Sequence, residues 1–144
     1  MNNRMRTEFA ATPENEAFAR AAVASFIAYL DPTIEELTEI KTGVSEAVSN
    51  SIIHGYENDE GEVFLACTID SERKVTITVR DQGSGIKDVK KAMEPMFTTG
   101  STEERSGMGF TVMESFMDKL EVESEVGQGT TITMTKLLDV DNGA

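Results

Sequence analysis

Two segments of alternating apolar and polar residues, EVFLACTID from Glu62 and KVTITVRD from Lys74, are separated by only three residues, Ser71-Glu72-Arg73. Alternation with period two sends one side of each strand to a core and the other to solvent. So short a link joins the two as an antiparallel hairpin. Val75, Ile77 and Val79 then face one way, and Thr76, Thr78 and Arg80 the other. A sheet with one apolar face must bury it against another layer.

The rest of the chain supplies that layer. Residues 3 to 11 alternate weakly and predict a first strand. Thr12-Pro13 predicts a helix start, with Thr as N-cap and Pro in the first helical position. Phe18, Ala22, Phe26 and Tyr29 give this helix an apolar side, with Arg20 opposite, alone among alanines. After the break at LDPT, Thr33 and Glu36 form the capping-box pattern T-x-x-E. Leu37, Ile40, Val44, Val48 and Ile52 follow within a narrow arc at helical spacing, and Gly55 ends the run. Beyond the hairpin come a short helical piece at KDVKKAM and a polar segment, TTGSTEERSG. A helix, MGFTVMESFMDKL, begins on Gly107-Met108-Gly109, and KLEVESEV and TTITMTKLL close the chain as a hairpin around GQG. The order strand, helix, helix, strand, strand, flap, helix, strand, strand predicts an α+β fold. It is a two-layer α/β sandwich with a mixed, mostly antiparallel sheet covered by helices on one face. At 144 residues this is one domain, 1–138, with a lid at about 87–106 and a flexible tail, 139–144.

Composition narrows the function. The net charge of −13 disfavours direct binding to nucleic acid, whose affinity comes mostly from neutralised phosphates. No apolar run approaches the ~20 residues that span a bilayer. MNNRMRTEF lacks the apolar stretch of a signal peptide. The single cysteine, Cys67, alternates with Val63, Leu65 and Ile69, which predicts a reduced core thiol in a cytoplasmic protein.

Four segments could carry chemistry. DQGSG, Asp81 to Gly85, reads as a tight turn after a strand. It also reads as a site, because two glycines admit a ligand to the backbone and a strand-end carboxylate can accept a bond from an exocyclic amine such as that of adenine. SGMGF, Ser106 to Phe110, is either loop flexibility or a helix start that binds phosphate through its N–H groups. GQGT, Gly127 to Thr130, is a hairpin turn whose Thr130 could reach a ligand. The fourth is the long helix. With Leu37 as zero, Glu46 lies at about 180° and Asn50 at about 220°, opposite the apolar stripe. A solvated face explains them. So does a phosphoryl-transfer site, which needs an oxygen ligand for Mg²⁺ and a group to orient or deprotonate the nucleophile. His54, at about 260°, reads as a helix-end or packing histidine.

Taken in order, E-x-x-x-N on a helix, D-x-G-x-G, a polar lid, G-x-G and G-x-G-T resemble the GHKL family. Its Bergerat ATP-binding fold is shared by gyrase B, heat-shock chaperones, mismatch-repair ATPases and histidine-kinase catalytic domains. Within it, LDPTIEELTEIKTGVSEAVSNSIIHGYEND and MFTTG…ERSGMGFTVMESFMDKLEVESEV look like the small bacterial anti-sigma serine kinases of sporulation, the general-stress kinases being the close alternative. The resemblance covers residues 5 to 136. It implies Glu46 as general base toward a serine hydroxyl and Asn50 as ligand of Mg²⁺ on the ATP phosphates. It implies Asp81 at the adenine amine, with Gly83, Gly85 and Thr130 around the ring. Gly107, Met108 and Gly109 would contact the phosphates, with Thr98 and Thr99 of the lid nearby. It also implies a homodimer with a sigma factor and an anti-anti-sigma protein as partners, ATP or ADP selecting between them, and docking near the first helix, where Arg20 is the candidate contact. Arg105, the only Arg or Lys between Ala92 and Asp118, is the one local cation that a closing lid could bring to a γ-phosphate. Pairing with Glu103 or Glu104 is its ordinary alternative. Three competing readings are a binding module without nucleotide chemistry, a histidine-kinase catalytic part and a stand-alone ATPase. The intact site residues speak against the first, and the position of the one histidine inside the nucleotide helix speaks against the second.

Overall fold

A computed structural model describes residues 2–56, 60–94 and 104–139, with side chains from Gly109 onward in the last segment. Five strands, β1 (Asn3–Ala10), β2 (Glu62–Ile69), β3 (Lys74–Arg80), β4 (Lys119–Glu125) and β5 (Gly129–Leu137), form one sheet in the order β1-β2-β3-β5-β4. All four pairings are antiparallel, so the expected mixed character is absent among the described strands. The helices are α1 (Glu14–Ile27), α2 (Ile34–Asn50), α3 (Val89–Ala92) and α4 (Glu104–Phe116). The predicted order of strands and main helices and the two-layer sandwich are both observed, while residues 95–103 of the expected flap lie outside the described residues.

The alternation in the strands decides which face is buried. Val63, Leu65, Cys67 and Ile69 of β2, Val75, Ile77 and Val79 of β3, and Ile132 and Met134 of β5 are buried under the helices. Their chain neighbours Thr68 and Arg80 are exposed on the other face. Burial pushes the Cys67 thiol up to about 12, so it stays protonated and unreactive as the sequence implied. The β2–β3 link turns on Arg73, whose φ of 66° takes the left-handed place of a three-residue hairpin loop, while Asp70 Oδ1 accepts bonds from Glu72 and Lys74 N–H, both at 2.9 Å.

Helix α2 is the centre of the helical layer. Ile40, Val44, Val48 and the following Ile52 are buried as their spacing predicted. The capping box is present: Thr33 Oγ1 accepts from Glu36 N–H at 3.0 Å, and Glu36 Oε1 accepts from Thr33 N–H at 2.8 Å. The other Glu36 oxygen accepts from Asp139 N–H at 2.7 Å, so one buried carboxylate starts α2 and also holds the end of the sheet. Burial raises this acid's pKa, but the N–H bonds from Asp139 and Thr33, the Thr33 hydroxyl and the Arg73 charge outweigh it and hold the value below normal. A depressed native pKa gives stability that is present above the unfolded value and lost as pH falls through the native one. Glu36→Ala is expected to lower stability by about 1–2 kcal/mol at pH 7, with the gap to the parent chain closing in acid denaturation curves below pH ~4.

Helix α1 differs from expectation in two ways. Pro13 already has helical dihedrals (φ −55°, ψ −32°), but no side chain caps the helix, so Thr12 does not act as N-cap through its hydroxyl. The buried line is Ala19, Val23 and Ile27, not Phe18, Ala22, Phe26 and Tyr29. Phe18 is 47% and Tyr29 62% exposed. Phe18 is left on the flank, edge-on to Phe9 with ring centroids 5.7 Å apart. Asp31, with φ 54°, and Pro32 then end the helical run at the predicted break.

Candidate active site

The strand order creates the site. Because β5 inserts between β3 and β4, the end of β3 lies beside the start of β5, and Asp81 N–H donates to Thr130 O at 2.9 Å. Two segments 49 residues apart thus meet next to the C-terminal end of α2.

That helix does not stop cleanly at Gly55. It widens after Asn50 into a π-turn, Ser51–Gly55, closed by Tyr56 N–H on Ser51 O at 3.0 Å. The last carbonyls of any helical run lack an intrahelical donor. Here the carbonyl of Gly55 accepts from Ser84 N–H at 2.7 Å, and that of His54 from Ser84 Oγ at 3.1 Å. His54 therefore accepts at the helix end through its backbone carbonyl.

Asp81 is the buried acid of this junction, 3% exposed. Its Oδ1 accepts from Gly83 N–H at 2.9 Å and Thr130 N–H at 3.3 Å. Its Oδ2 has no partner in hydrogen-bond geometry among the described residues, though the Ser51 hydroxyl is close enough to lower the acid's pKa. Burial outweighs these bonds, and the net shift is upward. The surrounding wall is backbone. A Cβ on Gly83 would sit 1.9 Å from Gly55 O, and one on Gly85, whose φ is +77°, would sit 2.2 Å from Glu125 O. Thr130 is buried, and its hydroxyl pairs with Ser124 Oγ at 2.8 Å; Ser124 also donates to Gly129 O and accepts from Ile86 N–H. Ser51 and Ser124 were not singled out in the sequence. Only the π-turn brings Ser51 to the acid, and only the strand order brings Ser124 to Thr130.

A buried carboxylate oxygen without a partner in hydrogen-bond geometry among the described residues, beside closely packed backbone, fits an amino group on a flat ligand. Adenine offers such a donor, whereas guanine places a carbonyl there and would leave the acid unpaired. Asn50 is 8% exposed, and Glu46 is half-buried one turn earlier. Their side of α2 is not a wet face: α4 crosses it, and a Cβ on Gly109 would meet Glu46 Oε2 at 3.1 Å. No group of three or more His, Cys, Asp or Glu able to hold a metal occurs among the described residues.

Three expectations change in detail. Helix α4 starts at Glu104, ahead of Gly107-Met108-Gly109, because Glu and Arg at its first positions are good helix formers. The N–H groups of those three residues therefore fall past the free N-terminal positions. Residues 104–106, counted as lid, are helical, and the Arg105 side chain, Thr98 and Thr99 lie outside what is described. Arg20 is not isolated: it pairs with Glu16 at 3.2 Å and donates to Ser45 Oγ at 3.0 Å, while Ser49 Oγ donates to the other Glu16 oxygen at 2.6 Å.

The raised pKa of Asp81 has a testable consequence. A carboxyl whose native pKa exceeds its unfolded one destabilises the fold as pH rises from the ordinary aspartate range through the native value. Asp81→Asn should therefore melt no lower than the parent at pH 7 without nucleotide, with an advantage that vanishes at low pH. In the same variant ATP binding should weaken by at least tenfold, since a hydrogen bond to a charged group contributes about 1.5–3 kcal/mol. Calorimetric melting across pH and an ATP titration check both halves.

Residues 9–136 match the histidine kinase-like ATPase domain. The chain belongs to that family. The anti-sigma F factor of Clostridium perfringens (strain SM101 / Type A) is 58% identical over 139 residues, which cover 96% of this chain and 99% of the relative. That of Bacillus subtilis (strain 168) is 57% identical over 139 residues, covering 96% and 94%. Among solved structures, the RsbU and RsbW domains of a Mycobacterium tuberculosis protein superpose with a TM-score of 0.69 at 20% identity, over 94% of this chain and 32% of that one. This ATPase family accounts for the antiparallel sheet with helices on one face, and the Asp81 junction lies inside the matched region. No helix among the described residues is long and apolar enough to cross a membrane.

Proposed function

We propose that this chain is an anti-sigma factor that sequesters a sporulation sigma factor and also acts as a protein-serine kinase on the anti-anti-sigma protein that would displace it. The observation carrying the nucleotide half is the Oδ2 of buried Asp81, without a partner in hydrogen-bond geometry among the described residues, beside Gly55 and Gly83 just beyond Asn50. The sigma-factor half is supported by near full-length identity to proteins named anti-sigma F factor.

In this reading ATP is the substrate that supplies the phosphoryl group, and Mg²⁺ neutralises charge on its phosphates. Asp81 holds the adenine amine, with Gly83, Gly85 and Thr130 shaping that pocket. Asn50 is the protein's oxygen ligand to Mg²⁺. Glu46 accepts the proton of the partner's serine hydroxyl at its carboxylate. Arg105 supplies the positive charge of the lid, with Thr98 and Thr99 as polar contacts. Gly107, Met108 and Gly109 hold phosphate through backbone N–H groups once the first turn of α4 opens, which two glycines make inexpensive. The chain works as a homodimer in the cytoplasm, with no direct contact to nucleic acid, and Arg20 takes part in partner docking. Nucleotide state selects the partner by shifting a population between lid conformations.

The test is equilibrium binding of ATP with and without Mg²⁺, followed by capture of the sigma factor in the presence of ATP or ADP. Mg²⁺-dependent ATP binding and a nucleotide-dependent affinity for the sigma factor are expected. A chain that captures the sigma factor but binds no nucleotide would be a binding module only.

A further inference from the structure

We propose that Tyr56 is a positioning residue for the adenine loop, setting nucleotide affinity without touching the nucleotide. The proposal rests on the reading of Asp81 as the adenine contact. Tyr56 directly follows the π-turn. Its ring lies flat on Gly61, where a Cβ would come within 2.4–2.6 Å of three ring atoms. Gly61 is itself held, because its carbonyl accepts from Ala11 N–H at 2.8 Å. The Tyr56 hydroxyl donates to Glu62 O at 2.6 Å and accepts from Gln82 N–H at 2.8 Å. A phenol has one proton to give, and here it goes to the first residue of β2 while the oxygen holds the residue after Asp81.

The consequence lies in the three successive N–H groups after Asp81. Gln82 N–H donates to Tyr56 Oη, Gly83 N–H to Asp81 Oδ1, and Ser84 N–H to Gly55 O. Each peptide plane of the loop therefore has its own fixed acceptor, and together they aim the Asp81 carboxylate. Two of those acceptors cannot be removed cleanly, since one is the adenine-binding acid and one is backbone. The third is a side-chain oxygen that contacts neither base nor phosphate. Its loss leaves Glu46, Asn50 and Asp81 chemically intact and frees only the direction in which Asp81 points.

The experiment compares Tyr56→Phe, Gly61→Ala, the double variant and the parent chain for ATP and ADP dissociation constants, KM and kcat of transfer, and melting temperature. Tyr56→Phe keeps the ring on Gly61 and removes both hydroxyl bonds, so ATP and ADP should bind roughly three- to tenfold more weakly. KM should rise by the same factor, and kcat should stay within about twofold. Gly61→Ala displaces the ring and should reproduce the effect. The double variant should be no worse than the weaker single one, because both act through one contact. Unchanged nucleotide affinity in Tyr56→Phe, alone or with a lowered melting temperature, overturns the proposal while leaving the Asp81 reading in place. Failure of the parent chain to bind ATP overturns both.

Discussion

Replacing Glu46 by Gln is expected to leave ATP binding within a few-fold of normal and to reduce phosphoryl transfer to a partner serine by about 10²–10⁴, the usual contribution of a general base. The substitution preserves shape and removes the carboxylate's charge together with its ability to take a proton. The packing supports a specific reading of the outcome. Glu46 is half-buried beside Gly109, where any side chain on α4 would crowd its carboxylate. Gln fits the same space, so a large loss of rate would not come from repacking. The helix is held by Val44, Val48 and Ile52 on its other side, and melting temperature should be nearly unchanged. Single-turnover transfer from labelled ATP, alongside a binding titration, separates rate from affinity. Full transfer by Glu46→Gln would mean that another group takes the proton.

Gly83→Ala should have the largest effect on the fold of the site. The added carbon would lie 1.9 Å from the oxygen, 2.2 Å from the carbonyl carbon and 2.7 Å from the Cα of Gly55. All three atoms are backbone of the π-turn, so no rotamer change relieves the clash. Either the adenine loop lifts from the helix end or the π-turn unwinds, and both moves detach the Ser84 bonds and misdirect Asp81. Overpacking of this kind costs about 1–3 kcal/mol or more, which for a chain of this size is a drop of roughly 3–10 °C in melting temperature. ATP binding should fall beyond measurement at millimolar nucleotide. Gly127→Ala is the control: its Cβ meets nothing within 4 Å, although its φ of +82° still imposes local strain. It should lose a little stability and keep ATP affinity. Equal behaviour of the two variants would show that backbone strain, not the contact with Gly55, explains the loss.

Much of the fold is legible in the amino-acid sequence. The strand alternation decided the buried face, and T-x-x-E decided where α2 begins, because both are local rules. Helix α1 shows where local reading fails. Residue size points to the Phe18 and Tyr29 side, but packing in the fold buries Ala19, Val23 and Ile27, and only tertiary packing decides that. The relation of Glu46 to Asn50 was visible as a helical spacing. That α4 covers them was not, since a solvated face and a covered polar face have the same periodicity. Asp81 and Thr130 were both candidates as turn-end residues, yet their direct contact depends on β5 pairing with β3 instead of following β4 outward. The π-turn at Ser51–Gly55 left no trace in the pattern. Nor did the double role of Tyr56, which apolar periodicity does not distinguish from any other aromatic.

On the proposed function, one site binds Mg·ATP and passes its phosphate to a serine of a protein partner. The most direct measurement is incubation of the full chain with Mg²⁺, γ-labelled ATP and an anti-anti-sigma partner, followed by acid treatment and mapping of the labelled residue. Acid-stable label on a single serine of the partner, absent with Glu46→Gln and with Mg²⁺ removed, is the predicted result. Acid-labile label, or ATP binding with no transfer to any partner, would contradict it.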